Sequence, residues 1–184
     1  TAQEAIVTTA SGDLIPASPA LASADALITT TGKEYRLREA LEPLKKSYDY
    51  IILDTPPALG ILTVNALTAC NSVVIPAQAD TFSLQGIGQL SQTIQTVKKY
   101  CNPSLSIKGI VITRYSSRAV LTRDMTELLD DTARQLNTKL YKTKIRECIA
   151  IKEAQASQQD IYSYSPKSNA TADYKALVDE ILGE

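Results

Sequence analysis

The sequence has no histidine, no tryptophan, one phenylalanine and three cysteines in 184 residues. The lack of histidine excludes Ser-His-Asp triads, Cys-His dyads and histidine metal sites together. With Phe82 as the lone phenylalanine, no aromatic platform for stacking bases is expected. Cys70, Cys101 and Cys148 form neither a CxxC pair nor a zinc spacing, and read as buried free thiols in a reducing compartment. No apolar run reaches the roughly 18 to 20 residues of a membrane-spanning helix. The first twenty residues hold Glu4 and Asp13 and no basic residue, which is not the pattern of a signal peptide.

What is present is an ordinary globular balance, 44% hydrophobic and 21% charged. The length predicts one domain over residues 1–184, with no linker and no internal repeat. The net charge of -1 hides an asymmetry: Lys108 to Lys152 carries a net +5, and the rest of the chain a net -6. Such a stretch is either a surface for a polyanion or a set of solvated helix faces.

The hydrophobic pattern alternates strands and helices. Asp13–Ala17 reads as a short strand stopped by Pro16, and Ser18-Pro19 as the start of a helix. A helix is expected from Glu34 toward Lys46, interrupted late by Pro43. Tyr48–Asp54, YDYIILD, is a continuous apolar run ending in an acid, as in a central parallel strand. Ser72–Ala77, Ile107–Thr113 and Leu140–Ile145 read as further strands. Helices are expected over Ile61–Ala69, Ser83–Tyr100, Arg118–Asn137 and Ala170–Leu182. The predicted class is α/β, a parallel sheet flanked by helices with right-handed crossovers. Ligands of such sheets bind beyond the carboxyl ends of the strands. Three ends are then expected on one rim: Asp54-Thr55-Pro56-Pro57, Gln78-Ala79-Asp80 and Thr113-Arg114-Tyr115.

Several segments together resemble the ParA/Soj partition ATPases. YDYIILDTPPALGILTVNALTA resembles the Walker B and switch segment, and SVVIPAQADTFSLQGIGQL and IKGIVITRYSSRAVL resemble the stretches after it. IKEA at Ile151–Ala154 and SPKSNA at Ser165–Ala170 resemble late signatures, so the resemblance spans Asp13 to Leu182. It implies a P-loop NTPase-like fold, ATP and Mg²⁺ as cofactors, and an ATP-dependent homodimer that binds DNA without sequence preference. It also implies a centromere-binding partner of the ParB type and a cytoplasmic, nucleoid-associated bacterial protein acting in plasmid or chromosome segregation.

Residue by residue, the resemblance implies that Asp54 holds Mg²⁺ through water and helps order the attacking water. Thr55, Pro56 and Pro57 match the turn after it, and Gly60 begins the switch helix. Thr113 and Arg114 fall where relatives approach the base, and Arg146 and Glu147 stand at the family's Pro-Arg pair beside adenine, which implies an altered base pocket. Arg118 matches a basic position used on DNA. A second DNA arginine falls on Ala150, and Lys142, Lys144 and Lys152 are expected to supply charge in its place.

The family's first strand and Gly-rich phosphate loop have no counterpart here. The seven glycines are scattered, and Gly32-Lys33 fails the loop pattern on both sides. The chain is therefore expected to represent the C-terminal two thirds of a ParA-like ATPase that binds no cofactor tightly. A non-catalytic interaction module that keeps the fold is the alternative. A membrane-cycling relative is disfavoured by the acidic closing helix, which anionic lipid would repel, and a metal-cluster relative by the unpaired cysteines.

Phosphoryl transfer rests on positioning and charge neutralisation by a loop lysine and Mg²⁺. The 184-residue chain should show no ATP turnover above a protein-free control. Turnover that Asp54→Ala abolishes would reveal a phosphate site elsewhere.

Overall fold

The computed structural model describes residues 1–116 and 120–183, with backbone alone at 120–122. It divides into two compact units, Thr1–Ser72 with Gln92–Ser106, and Val73–Ser91 with Ile107–Glu184.

The first unit opens with an antiparallel hairpin of β1 (Val7–Thr9) and β2 (Gly12–Leu14). The Ser18 hydroxyl then accepts from the Ala20 N–H at 3.1 Å, capping a 3-10 turn over Pro19–Ser23 that runs into α1 (Ala24–Leu27). The expected second helix is found in pieces: a 3-10 turn, α2 (Arg36–Leu41), and another 3-10 turn over Glu42–Leu44. Pro43 cannot donate to a helical ladder, so the last turn tightens.

The next helix, α3 (Ile61–Ala69), is the centre of this unit and is buried at Ile61, Thr63 and every position from Asn65 to Thr68. Its Asn65 side chain accepts from the Leu37 N–H at 3.0 Å and donates to the carbonyls of Lys33 at 2.9 Å and Ile61 at 3.0 Å. Asn102 likewise donates to the carbonyls of Leu67 at 2.9 Å and Cys70 at 2.8 Å. A buried amide is favourable only when its groups are paired, and these two pair backbone groups at both ends of α3. Leu41, Leu44, Leu67, Ile94, Val97 and Leu105 complete the core.

The structure overturns one expectation here. Tyr48–Asp54 is not a central strand: from Tyr50 to Pro56 the chain is neither helix nor strand. Tyr50 is 68% exposed and Ile52 86%. A strand exists through its ladder, and among the described residues no strand pairs with this run. The apolar composition reports what the segment is suited to, not whether a neighbour is there.

The second unit holds a three-stranded parallel sheet in the order β3 (Ser72–Ala77), β4 (Ser106–Tyr115), β5 (Leu140–Arg146). Central β4 is buried at Ile110, Val111 and Ile112, as a strand covered on both faces must be. Around the sheet come α4 (Thr81–Tyr100), whose second half belongs to the first unit, α5 (Val120–Gln135), α6 (Ile149–Ala156), α7 (Ile161–Tyr164) and α8 (Asn169–Leu182). The short α6 and α7 were not expected from periodicity.

β5 is bulged. Ile110 faces Leu140 but Ile112 faces Lys144, so the edge strand spends extra residues between the two pairings. The amides freed there are taken by one carboxylate of α8: Glu180 accepts from the N–H groups of Lys142 at 2.9 Å and Thr143 at 3.0 Å. Beneath, Val111, Tyr141, Ile145 and Leu177 form a buried cluster.

Tyr141 in this cluster requires Gly109. A Cβ added to Gly109 would stand 2.7 Å from the Tyr141 Cζ. Gly109→Ala should therefore cost about 1–3 kcal/mol by overpacking, read as a lower urea midpoint with unchanged slope. An unaltered midpoint would mean that the Tyr141 ring has room to move.

Candidate functional site

The parallel strands β4 and β5 end side by side, and four of the residues singled out from sequence meet there. Thr113 donates its hydroxyl proton to the Ala77 carbonyl at 3.3 Å, tying the ends of β4 and β3. Arg114 has φ 50°, a left-handed conformation uncommon outside glycine. Its guanidinium meets Glu147 Oε1 at 3.3 Å, and Lys152 Nζ of α6 meets the same oxygen at 3.3 Å. The Glu147 backbone N–H donates to the Tyr115 carbonyl at 3.2 Å. Lys152 and Arg114 together hold the Glu147 carboxyl below its usual range.

Beside this charged group lies a cavity of about 170 Å³. Ile145, Ile151, Cys148 and Tyr174 give it largely apolar walls, and Thr113, Arg114, Arg146, Glu147 and Lys152 complete it. The slot is smaller than the roughly 300–1,000 Å³ of most small-molecule sites, but it shares their apolar walls and few polar groups.

Arg146 lines the cavity, but its guanidinium is committed. Nε donates to Asp173 Oδ2 at 2.8 Å and Nη2 to Oδ1 at 2.6 Å, while the Arg146 backbone N–H reaches Oδ2 at 3.1 Å. A bidentate, charge-assisted pair of this kind is among the stronger polar contacts. Burial pushes the Asp173 carboxyl up, but the Arg146 side-chain and backbone bonds outweigh it and hold the group below its ordinary value. The same balance acts on Glu180, where the amides of Thr143 and Lys142 outweigh burial. Asp173 and Glu180 were not singled out from sequence. The signal was there: Asp173, Leu177 and Glu180 recur at helical spacing, which places two acids on the face that carries Leu177.

Asp54, Thr55 and Pro56 are exposed and belong to the first unit. Asp54 makes no hydrogen bond or ion pair among the described residues. A single open carboxylate fits one contact to hydrated Mg²⁺, which takes one or two carboxylates and fills its shell with water and phosphate. Among the described residues no group of three or more acids and thiols could hold a metal by itself.

Of the residues expected on DNA, Lys142 is exposed, and Lys144 is half-buried with its ammonium 4.4 Å from the centre of the Tyr115 ring. Arg118 lies outside the described residues.

The profile of the AAA domain family matches residues 1–107. Over 170 residues the chain is 39% identical to the sporulation initiation inhibitor protein Soj of Bacillus subtilis, covering 92% of this chain and 66% of Soj. It is 36% identical to the chromosome partitioning protein ParA of Myxococcus xanthus, covering 92% of this chain and 59% of that protein. The chain thus spans less than two thirds of the length of these relatives. Among solved structures, cobyrinic acid a,c-diamide synthase from Mycobacterium smegmatis, with bound ATP analog and magnesium, superposes with TM-score 0.80 at 33% identity. That match covers 98% of this chain and 66% of the synthase. McdA of Cyanothece in complex with ATP shares the fold, with TM-score 0.83 at 23% identity over 99% of this chain and 71% of McdA.

Two of the three carboxylates of α8, Asp173 and Glu180, give stability a sign in pH. Both are depressed in the folded state, so their contribution is complete above the unfolded values and is lost as pH falls through the folded ones. The unfolding temperature should hold from pH 7 to about 5 and drop below about 4. Asp173→Asn should cost about 2 kcal/mol at neutral pH and flatten that acid limb. An acid limb unchanged by the substitution would remove Asp173 from this role.

Proposed function

The chain belongs to the ParA/Soj family of partition ATPases, and from that premise we propose that it serves DNA segregation as an ATP-dependent, DNA-binding switch. The observation that supports this most is the similarity to Soj and ParA across 92% of the chain.

In this reading the cavity between the ends of β4 and β5 takes the nucleotide base. Ile145, Ile151 and Tyr174 cover its faces, and the backbone and hydroxyl groups around Thr113 and Arg114 orient its edge. Arg146 serves through its backbone position, because Asp173 occupies its side chain. Asp54 supplies a contact to Mg²⁺ through water, in the turn formed with Thr55 and Pro56. When bound, the metal neutralises charge on the transferred phosphoryl group. Nucleotide binding favours a homodimer, the dimer holds DNA through phosphate contacts, and a ParB-type partner stimulates turnover in a cytoplasmic, nucleoid-associated cycle. Among the described residues no helix is long and apolar enough to cross a membrane.

One observation favours the second reading, a non-catalytic module. The charged groups around the cavity are already paired with one another, with Arg114 and Lys152 on Glu147 and Arg146 on Asp173. Nucleotide titration separates the two. Saturable ATP binding, however weak, that falls on removal of Mg²⁺ supports the switch, and indifference to excess nucleotide with retained DNA binding supports the module.

DNA contact has its own test. A sequence-blind surface loses about one unit of salt slope for each phosphate contact removed. Lys142→Ala should therefore weaken binding to all duplexes alike and lower the slope by about one. An unchanged slope would make Lys142 a solvated edge residue.

A further inference from the structure

Asp25 stands in the first turn of α1 but serves a different helix. Its Oδ1 accepts from the backbone N–H of Ile61, the first residue of α3, at 2.7 Å and 36 positions away in sequence. The N-cap of α3 is Gly60, which has no side chain to satisfy the open amides of that turn. The Asp25 carboxylate takes this part from outside the helix, where negative charge is favoured by the helix dipole.

The fit is close. A Cβ added to Gly60 would stand 2.8 Å from Asp25 Oδ1 and 2.9 Å from Cγ. Gly60 has φ -90° and ψ -163°, which any residue adopts, so the glycine is needed for space rather than for conformation. Two residues earlier the Ala58 carbonyl accepts from the Thr63 hydroxyl at 2.7 Å. The end of the turn that joins α3 is thus held twice. Its other end, Asp54 to Pro57, has no such bond among the described residues. α1 is only four residues long and is anchored by buried Ala24, so its evident service is to deliver this acid.

We propose that Asp25 is a positioning residue: it fixes the far end of the Asp54–Gly60 turn on α3 and so sets the reach of the Asp54 carboxylate. The last step rests on the reading of Asp54 as the magnesium acid; the bond to Ile61 does not.

A double-mutant cycle and amide exchange on the 184-residue protein test it. Gly60→Ala alone should lower the unfolding temperature, and in an Asp25→Ala background it should be nearly neutral, because the clash is gone. Asp25→Ala should speed exchange at Ile61 about tenfold or more and leave the amides of Lys142 and Thr143 unchanged. Asp25→Asn, which keeps an acceptor oxygen, should retain most of the protection. Additive effects in the cycle, or exchange that rises throughout the chain, would overturn the latch. Mn²⁺ with ATP, both in large excess so that weak binding is populated, then probes the reach of Asp54. Broadening of the Asp54 and Thr55 amides that fades in Asp25→Ala and returns in Asp25→Asn supports the full proposal. A coupled cycle without broadening in the unaltered protein overturns the metal role of Asp54 and leaves Asp25 as a latch alone.

Discussion

The second unit depends on how an edge strand satisfies its backbone. An amide withdrawn from water without an acceptor costs about as much as a lost hydrogen bond, and three amides of β5 find their acceptors outside the sheet. Two carboxylates of α8 take all three: Glu180 at Lys142 and Thr143, Asp173 at Arg146. The seat of α8 and the presence of Tyr174 in the cavity wall accord with this arrangement. So does the state of Arg146, whose guanidinium spends Nε and Nη2 on Asp173.

The two units tie their backbones with different proportions of neutral and charged groups. The first relies mainly on neutral amides, Asn65 and Asn102, each of which bridges segments far apart in sequence, with one carboxylate, Asp25, at the first turn of α3. The amide contacts are indifferent to pH. The second uses charged groups around β5 and the cavity, where Arg114, Lys152 and Glu147 also neutralise one another. Its stability and the electrostatics of its cavity are therefore coupled through one short strand.

Much of this was legible in the sequence. The strands Ser72–Ala77 and Leu140–Arg146 and the helix Ile61–Ala69 were marked by proline stops and apolar period, and they stand within a residue of expectation. Thr113 and Arg114 were expected at a strand end because parallel strands end together, whereas Arg146 and Glu147 were implied only by the family resemblance. The functions of Asp25, Asp173 and Glu180 could not be read so easily. A carboxylate that caps another element shows no local pattern at its partner, and its meaning arises only when the chain brings the two together. Tyr48–Asp54 illustrates the converse. Composition named it a strand, but pairing is a property of two segments, and one of them cannot declare it.

That unpaired run also bears on how the protein behaves in company. Tyr50, Ile51, Ile52 and Leu53 form a short apolar ribbon, of which Ile52 is 86% exposed, bracketed by Asp49 and Asp54. Exposed extended segments of this type are templates for intermolecular pairing, and flanking charges act as gatekeepers against it. When two copies align antiparallel with apolar residues matched, Asp49 of each faces Asp54 of the other, and like charges repel. Self-association is therefore restrained by electrostatics and not by burial, and added salt shortens the range of that restraint. Asp49 and Asp54 thus guard this run against pairing with its copies, far in sequence from Asp173 and Glu180.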